Sequence, residues 1–270
     1  MKTASDAGLR GPALWMKRHP IPVKAFFRHS LVLTYAFPKS LLEPLLPPGL
    51  ALDTFHDFGF VAIAMVDTEN LRPSFCPAFF GQDFFLTGYR IFARYRTAAG
   101  RNLRGLRILR SDTNRELMVR WGNRLTHYNY QLARVDFSVN DRRMDVRIQT
   151  PGAEADLRVV ADLATAPGTP PKGSPFEDMH QARLYAGPLP YTFDYEKETH
   201  SIVMIEGVRK DWRPQPVTVE VSENTFFNQP PFNAVRPILA NAFYVGNILY
   251  QWRRGIRQPL GRNDDGNASS

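Results

Sequence analysis

Cysteine is almost missing from this chain. Cys76 is the only one in 270 residues, which excludes an internal disulfide and any multi-cysteine metal site. Between Phe75 and Pro77 it reads as a small apolar residue rather than a nucleophile. Lysine is absent from the whole span between Lys39 and Lys172. An apolar leader is missing too: MKTASDAGLRGPALWMKRH is polar apart from Ala13 to Met16, so no secretory signal is read there. The uncharged run Pro237 to Trp252 is 16 residues long and holds three Asn or Gln, too short and polar to span a bilayer. A soluble cytoplasmic protein is the expectation.

What the chain does have is apolar mass, turns and arginine. Hydrophobic residues make up 43%, enough for a sizeable core. Twenty-two prolines and eighteen glycines favour many turns and few long helices. The net charge of +8 is concentrated: residues 90–158 hold 15 arginines and seven acids, and the rest of the chain is neutral. Such a block serves a nucleic-acid patch, an anion-attracting cavity or simply a solvated face. Nucleic acid ranks last, because no zinc pattern, helix-turn-helix cadence or RNA-binding aromatic-glycine signature accompanies it. The six histidines (His19, His29, His56, His127, His180, His200) show no ligand spacing with a nearby acid, so neither metal nor cofactor is expected.

Periodicity predicts a mainly β protein. AFFRHSLVLTY (25–35) and FGFVAIAMVD (58–67) read as strands, the second a continuous apolar run of a covered central strand. Between them Pro38 opens a short helix that Pro47-Pro48-Gly49 stops. From Phe84 to Val139 four strands are expected, RELMVRWGN and HYNYQLARVDFSV being the last two. RRMDVRIQT and DLRVVADL follow. ATAPGTPPKGSP (164–175) is a surface linker, ending at a helix start with Ser174 as cap and Pro175 first. PYTFDYE, SIVMIEGVR and QPVTVEVS add three strands. Residues 236–254 read as an apolar helix with Leu239, Phe243, Gly246 and Tyr250 on one stripe and Gly255 as its stop. The organisation expected is a loose arm at 1–20, one β-rich domain at 21–258 and a disordered tail at 259–270. About ten strands and three helices suggest an antiparallel sheet system or barrel with helices to one side.

This order of elements, with LLPPGL (45–50) before GFVAIAMVD (59–67), WGNRLTHYNYQLA (121–133) closing a run of strands and IEGVRKDWRPQPVTVEV (205–221) late, resembles the acetoacetate decarboxylase-like superfamily. The likeness is to a bacterial branch that lacks the imine-forming lysine. It covers roughly residues 25–222 and implies an α+β, mainly β fold: an antiparallel β-barrel or cone with a few peripheral helices around a small-molecule pocket. In the decarboxylases a lysine pair stands on the strand matched by 121–133, and its first lysine forms an imine with a keto acid. Here those positions are Tyr130 and Gln131. Neither carries an amine, and arginine cannot supply one. FFLTGYRIF (84–92) carries Thr87 and Arg90 where the family's acid is expected. Schiff-base decarboxylation is therefore not expected.

Alternation puts His127, Asn129, Gln131 and Ala133 on one face and Tyr128, Tyr130, Leu132 and Arg134 on the other. Sequence alone does not choose between them; the matched lysine position favours Tyr128 and Tyr130 inward. Candidate chemistry falls on Tyr130, His127 and Glu206, and candidate ligand contacts on Arg90, Arg107, Arg124, Tyr128, Gln131 and Trp212. Each has a plainer alternative: a core tyrosine, a hydrogen-bonded histidine, or an arginine paired internally with Glu206. The partner expected is a small organic ligand, anionic or carbonyl-bearing, with a homo-oligomer left open. A competing reading gives the 236–254 helix, with NILYQWRRGIR (247–257), a role on a membrane surface or a partner.

Overall fold

The computed structural model describes residues 11–186 and 189–261. Its strands are β1 (Val23–Pro38), β2 (Leu50–Leu52), β3 (Phe58–Pro73), β4 (Gln82–Arg96), β5 (Asn102–Thr113), β6 (Tyr130–Leu132), β7 (Arg134–Val139), β8 (Arg143–Gln149), β9 (Leu157–Asp162), β10 (Tyr191–Glu196), β11 (Ser201–Arg209), β12 (Gln215–Pro216), β13 (Thr218–Asn224), β14 (Ile238–Trp252) and β15 (Ile256–Pro259). Four α-helices accompany them: α1 (Pro12–Lys17), α2 (Lys39–Leu42), α3 (Glu116–Leu125) and α4 (Met179–Ala186).

The long strands form a ring. Pairing runs β14–β1–β3–β4–β5–β10–β11, and β11 returns to β14 through Gly207, Val208 and Arg209 opposite Trp252, Gln251 and Tyr250. Both halves of the chain contribute strands to it, β1, β3, β4 and β5 from the first and β10, β11 and β14 from the second, and the 164–175 stretch lies between β9 and α4. Most pairs are antiparallel. The exceptions lie on one edge of β5, where β10 pairs in parallel at Gly105–Leu106 and β6 in parallel at Ser111–Thr113. Residues 126–132 thus occupy the edge of β5 that β10 leaves open.

A second sheet, β13-β9-β8-β7, packs on the outside of the ring. Its alternation is strict: Met144, Val146 and Ile148 with Leu157, Val159 and Ala161 are buried and join Leu31, Leu33, Ile63, Met65, Tyr89 and Ile91 in one core. Each such side chain, taken from water, contributes about 1.5–3 kcal/mol. The ring strands are therefore apolar on both faces. On β4, Phe85, Tyr89 and Ile91 meet the second sheet, while Phe84, Leu86, Arg90 and Phe92 face the ring's interior.

The structure differs from the sequence expectations at several elements. Residues 236–254 are not a helix but strand β14, wedged between β1 on one side and β11 and β12 on the other. A strand covered on both faces is a continuous apolar run, and such a run has no period to tell it from a buried helix. RELMVRWGN is not a strand: it forms α3, whose Met118, Trp121, Gly122 and Leu125 line the interior at helical spacing. The arm at 1–20 is ordered from Pro12, with Leu14 and His19 buried and Arg18 bound twice to Glu196 at 2.7 Å; residues 1–10 lie outside the described residues. Helix α4 starts later than Ser174, because Asp178 caps it by accepting the Gln181 N–H at 2.7 Å. Of the expected tail at 259–270, Pro259 is the last residue of β15, which pairs with β11, and residues 262–270 lie outside the described part. No helix among the described residues is long and apolar enough to cross a membrane.

Candidate functional site

The ring encloses a cavity of about 220 Å³ with mainly apolar walls from β1, β3, β4, β5, β14 and α3. Into it points Arg90. The unbroken alternation of β4 places it there, with Phe84, Leu86 and Phe92 on the same face; beside it the register shifts, so that Tyr89 opposes Arg110 while Arg90 opposes Ile108. The extra residue, Leu109, reverses the alternation of β5, so that Leu106 and Ile108 before it and Ser111 after it line the cavity. Gly88 gives its head room. A Cβ at Gly88 would lie 2.8 Å from Arg90 Nε and 2.9 Å from a terminal nitrogen, so only a residue without a side chain accepts the guanidinium folded over it.

Arg90 is surrounded by protein yet keeps some accessible surface, because its head faces the void. Its Nε has no hydrogen-bond partner. Among the described residues no carboxylate pairs with it; the groups acting on it are Tyr250, Tyr128 and Tyr130. Burial pushes its pKa below the usual arginine value, and the three tyrosines offset this in part. A desolvated cation without a counter-charge is costly, and its planar fork fits a carboxylate in two-point fashion.

The tyrosines come from the stretch 121–133. Tyr130 starts β6 with both backbone groups held by one side chain: it donates its N–H to Asn123 Oδ1 at 2.7 Å and accepts from Asn123 Nδ2 at 2.8 Å. Its ring lies against Gly122, where a Cβ would come within 2.3 Å. Gly-Asn in this motif is thus a socket for Tyr130. Tyr128 is tilted against it at 6.2 Å between centroids. Thr192 is close enough to the Tyr128 hydroxyl to lower its pKa, yet that hydroxyl forms no well-oriented hydrogen bond. Burial raises the Tyr128 phenol well above its ordinary value, and raises Tyr130 to about 12 against the pull of Arg90. Both stay protonated at neutral pH and offer O–H donors, not bases. At the side, Trp212 lines the cavity with its Nε1 unpartnered, and the Arg209 guanidinium stacks on its ring at 4.7 Å.

Of the sequence candidates, Arg90, Tyr128, Tyr130 and Trp212 come together on the cavity wall. Five others are elsewhere. Arg107 binds Asp194 at 2.8 Å. Arg124 is exposed on α3 over the Trp121 ring. Gln131 sits opposite Asp112 on β5. Glu206 binds not an interior arginine but Arg253, at 2.9 Å. His127 is partly buried outside the lining, and burial, with Lys17 and Arg107, lowers its pKa to about 4, so it stays neutral. Sequence reasoning missed Gly88, Tyr250 and the buried His19. Tyr250 was readable only once 238–252 is taken as a strand; Gly88 had a signal, a glycine two residues before an arginine on an apolar strand. No lysine is among the cavity-lining residues. Among the described residues no three His, Cys, Asp or Glu side chains come together as a metal requires.

Solved structures share this architecture. Acetoacetate decarboxylase from Legionella pneumophila subsp. pneumophila str. Philadelphia 1 superposes with a TM-score of 0.60 at 12% identity, over 88% of this chain and 87% of that one. An acetoacetate decarboxylase-like enzyme from Sphingomonas wittichii RW1 gives 0.57 at 12% identity, over 95% and 98%. The enduracididine biosynthesis enzyme MppR complexed with pyruvate gives 0.52 at 14% identity, over 90% of each. At these identities the likeness establishes the fold alone: an acetoacetate decarboxylase-like, mainly β structure. No curated protein matches the sequence. The pattern of one family matches residues 24–245, and by that match the chain belongs to the DUF2071 family of uncharacterized conserved proteins.

Proposed function

We propose that the cavity binds a small organic carboxylate, with Arg90 taking the carboxylate and the Tyr128 and Tyr130 hydroxyls donating hydrogen bonds to it or to an adjacent carbonyl. The observation that carries this reading is the enclosed Arg90 head without an acid partner. An arginine kept in an apolar void costs stability unless an anion completes it; a bound carboxylate supplies both the charge and the acceptors that the guanidinium and phenols lack. That MppR is found complexed with pyruvate supports a carboxylate in a ring of this kind. Covalent imine chemistry is not part of the proposal, since an imine needs an amine and the cavity wall offers none. With both phenols protonated at pH 7 and His127 outside the lining, the sequence candidates on the wall are equipped for binding and orientation rather than for general-base work.

The test pairs butanoate with butanamide, which has the same shape and no charge. Butanoate should raise the melting temperature with added concentration, as a ligand of the folded state does, and butanamide should bind at least about tenfold more weakly, as the loss of a charge-assisted hydrogen bond implies. Arg90→Gln should make the two equal. Borohydride with a keto acid should trap no adduct; a trapped adduct would overturn the non-imine reading.

A further inference from the structure

Resting on the reading of Arg90 as the carboxylate anchor, we propose that the ligand is a monocarboxylate with an extended apolar body that runs from Arg90 toward Trp121. The cavity is long. Its lining follows β3 from Ala62 through Ala64 and Val66 to Thr68, about 20 Å of strand at roughly 3.3 Å per residue, and reaches Leu71 beyond the bulge. Arg90 stands opposite Ala62, and its head folds back over Gly88, opposite Ala64. Onward from that point the paired positions are Val66 with Leu86 and Thr68 with Phe84, then Leu71, all on the cavity wall. Helix α3 lays Met118 and Leu125 along the same stretch. Trp121 lines the cavity while 49% exposed, so this end reaches solvent.

Charge restricts the ligand further. The lining contains no acid, and its arginines are Arg90 and Arg209. Arg209 is held over two rings of the wall, Trp212 at 4.7 Å and Tyr250 at 5.9 Å. Leu71 lies toward the turn between β3 and β4, where Arg115, just before α3, donates to the Asp83 carbonyl at 3.2 Å. Polar atoms on the path from Arg90 to Trp121 include hydroxyls of Ser30, Thr68 and Ser111, which accommodate an acyl chain but do not neutralise a second charge. A short keto acid would occupy only the Arg90 end and leave apolar wall facing water.

Calorimetric titration of butanoate, hexanoate, octanoate and octanedioate into the full-length protein tests this. Affinity should rise about three- to fourfold per methylene, on the order of a hundredfold from butanoate to octanoate, and octanedioate should lose most of that gain. Val66→Phe should cap the series by removing the gain beyond butanoate. Equal affinity along the series, or octanedioate as tight as octanoate, would overturn the apolar-tail inference while butanoate binding through Arg90 stands. Binding of none of the four, or a series unaltered by Arg90→Gln, would overturn the anchor as well.

Discussion

Arg90 is one of many arginines, and what singles it out is the company it lacks. Asp53 accepts from Arg94 and Arg104 at 2.6 Å each, Asp194 from Arg107, and Asp112 and Glu154 from Arg110. The less exposed arginines of the 90–158 block other than Arg90 are thus spent on acids, and no sequence pattern reveals which member is left over, because the partners are 41 to 87 residues away in several cases. Arg90→Met should therefore remove ligand binding while stabilising the ligand-free protein by about 1–3 kcal/mol, the cost of an uncompensated buried charge; denaturant melts of both proteins measure it, and a destabilised variant would contradict the unpaired state. Gly88→Ala should leave the fold intact and weaken carboxylate binding about tenfold, as a misplaced charge-assisted bond would, readable by titration. Asp112 gives a pH signature. Burial raises its carboxyl to about 6 although Arg110 pulls it down. A raised carboxyl favours the protonated form, so its stability contribution is present at low pH and declines as pH rises through 6. The stability of the protein relative to Asp112→Asn should accordingly fall between pH 4 and pH 7 in urea melts.

At the level of elements, the legible parts were those with one covered face or a hard stop. The helix after Pro38 and its Pro47-Pro48-Gly49 end form as α2 and the 3-10 turn Glu43–Leu45, and Asn140 turns β7 into β8 by accepting from the backbone of Arg142 and Arg143. Helix α3 was hidden for a different reason. Gly122-Asn123 inside it reads as a turn that ends a strand, and only the 118, 122, 125 spacing of its buried side betrays it. The stretch 121–133 is consequently half helix, half strand, and its two halves clasp each other through Asn123 and Tyr130. Asn123→Ala should cost about 1–3 kcal/mol, because it leaves two backbone groups of Tyr130 without partners. Amide exchange should then speed up at Tyr130 more than at β3; uniform exchange would show that the clasp is incidental.

Across the whole molecule, the ring explains both the cavity and the misread end of the chain. Strand β14 bonds to β1 over most of its length and to β11 at its end, so it closes the ring instead of lying outside it. Deleting residues 237–270 should therefore abolish cooperative unfolding by circular dichroism, where loss of a peripheral anchor would leave the melt unchanged. Sequence order was enough to suggest the superfamily fold, since the series of apolar strands and turns survives at low identity. It was not enough to place the site residues, because Tyr128 and Tyr130 reach the cavity through the parallel seam of β5, which has no composition.

The most direct test is a crystal structure of the protein with octanoate bound. The carboxylate should lie within 3.2 Å of two Arg90 nitrogens, with at least one of the Tyr128 and Tyr130 hydroxyls in contact. Octanoate found only on exposed arginines, with the interior filled by water and Arg90 still without an anion, would contradict it.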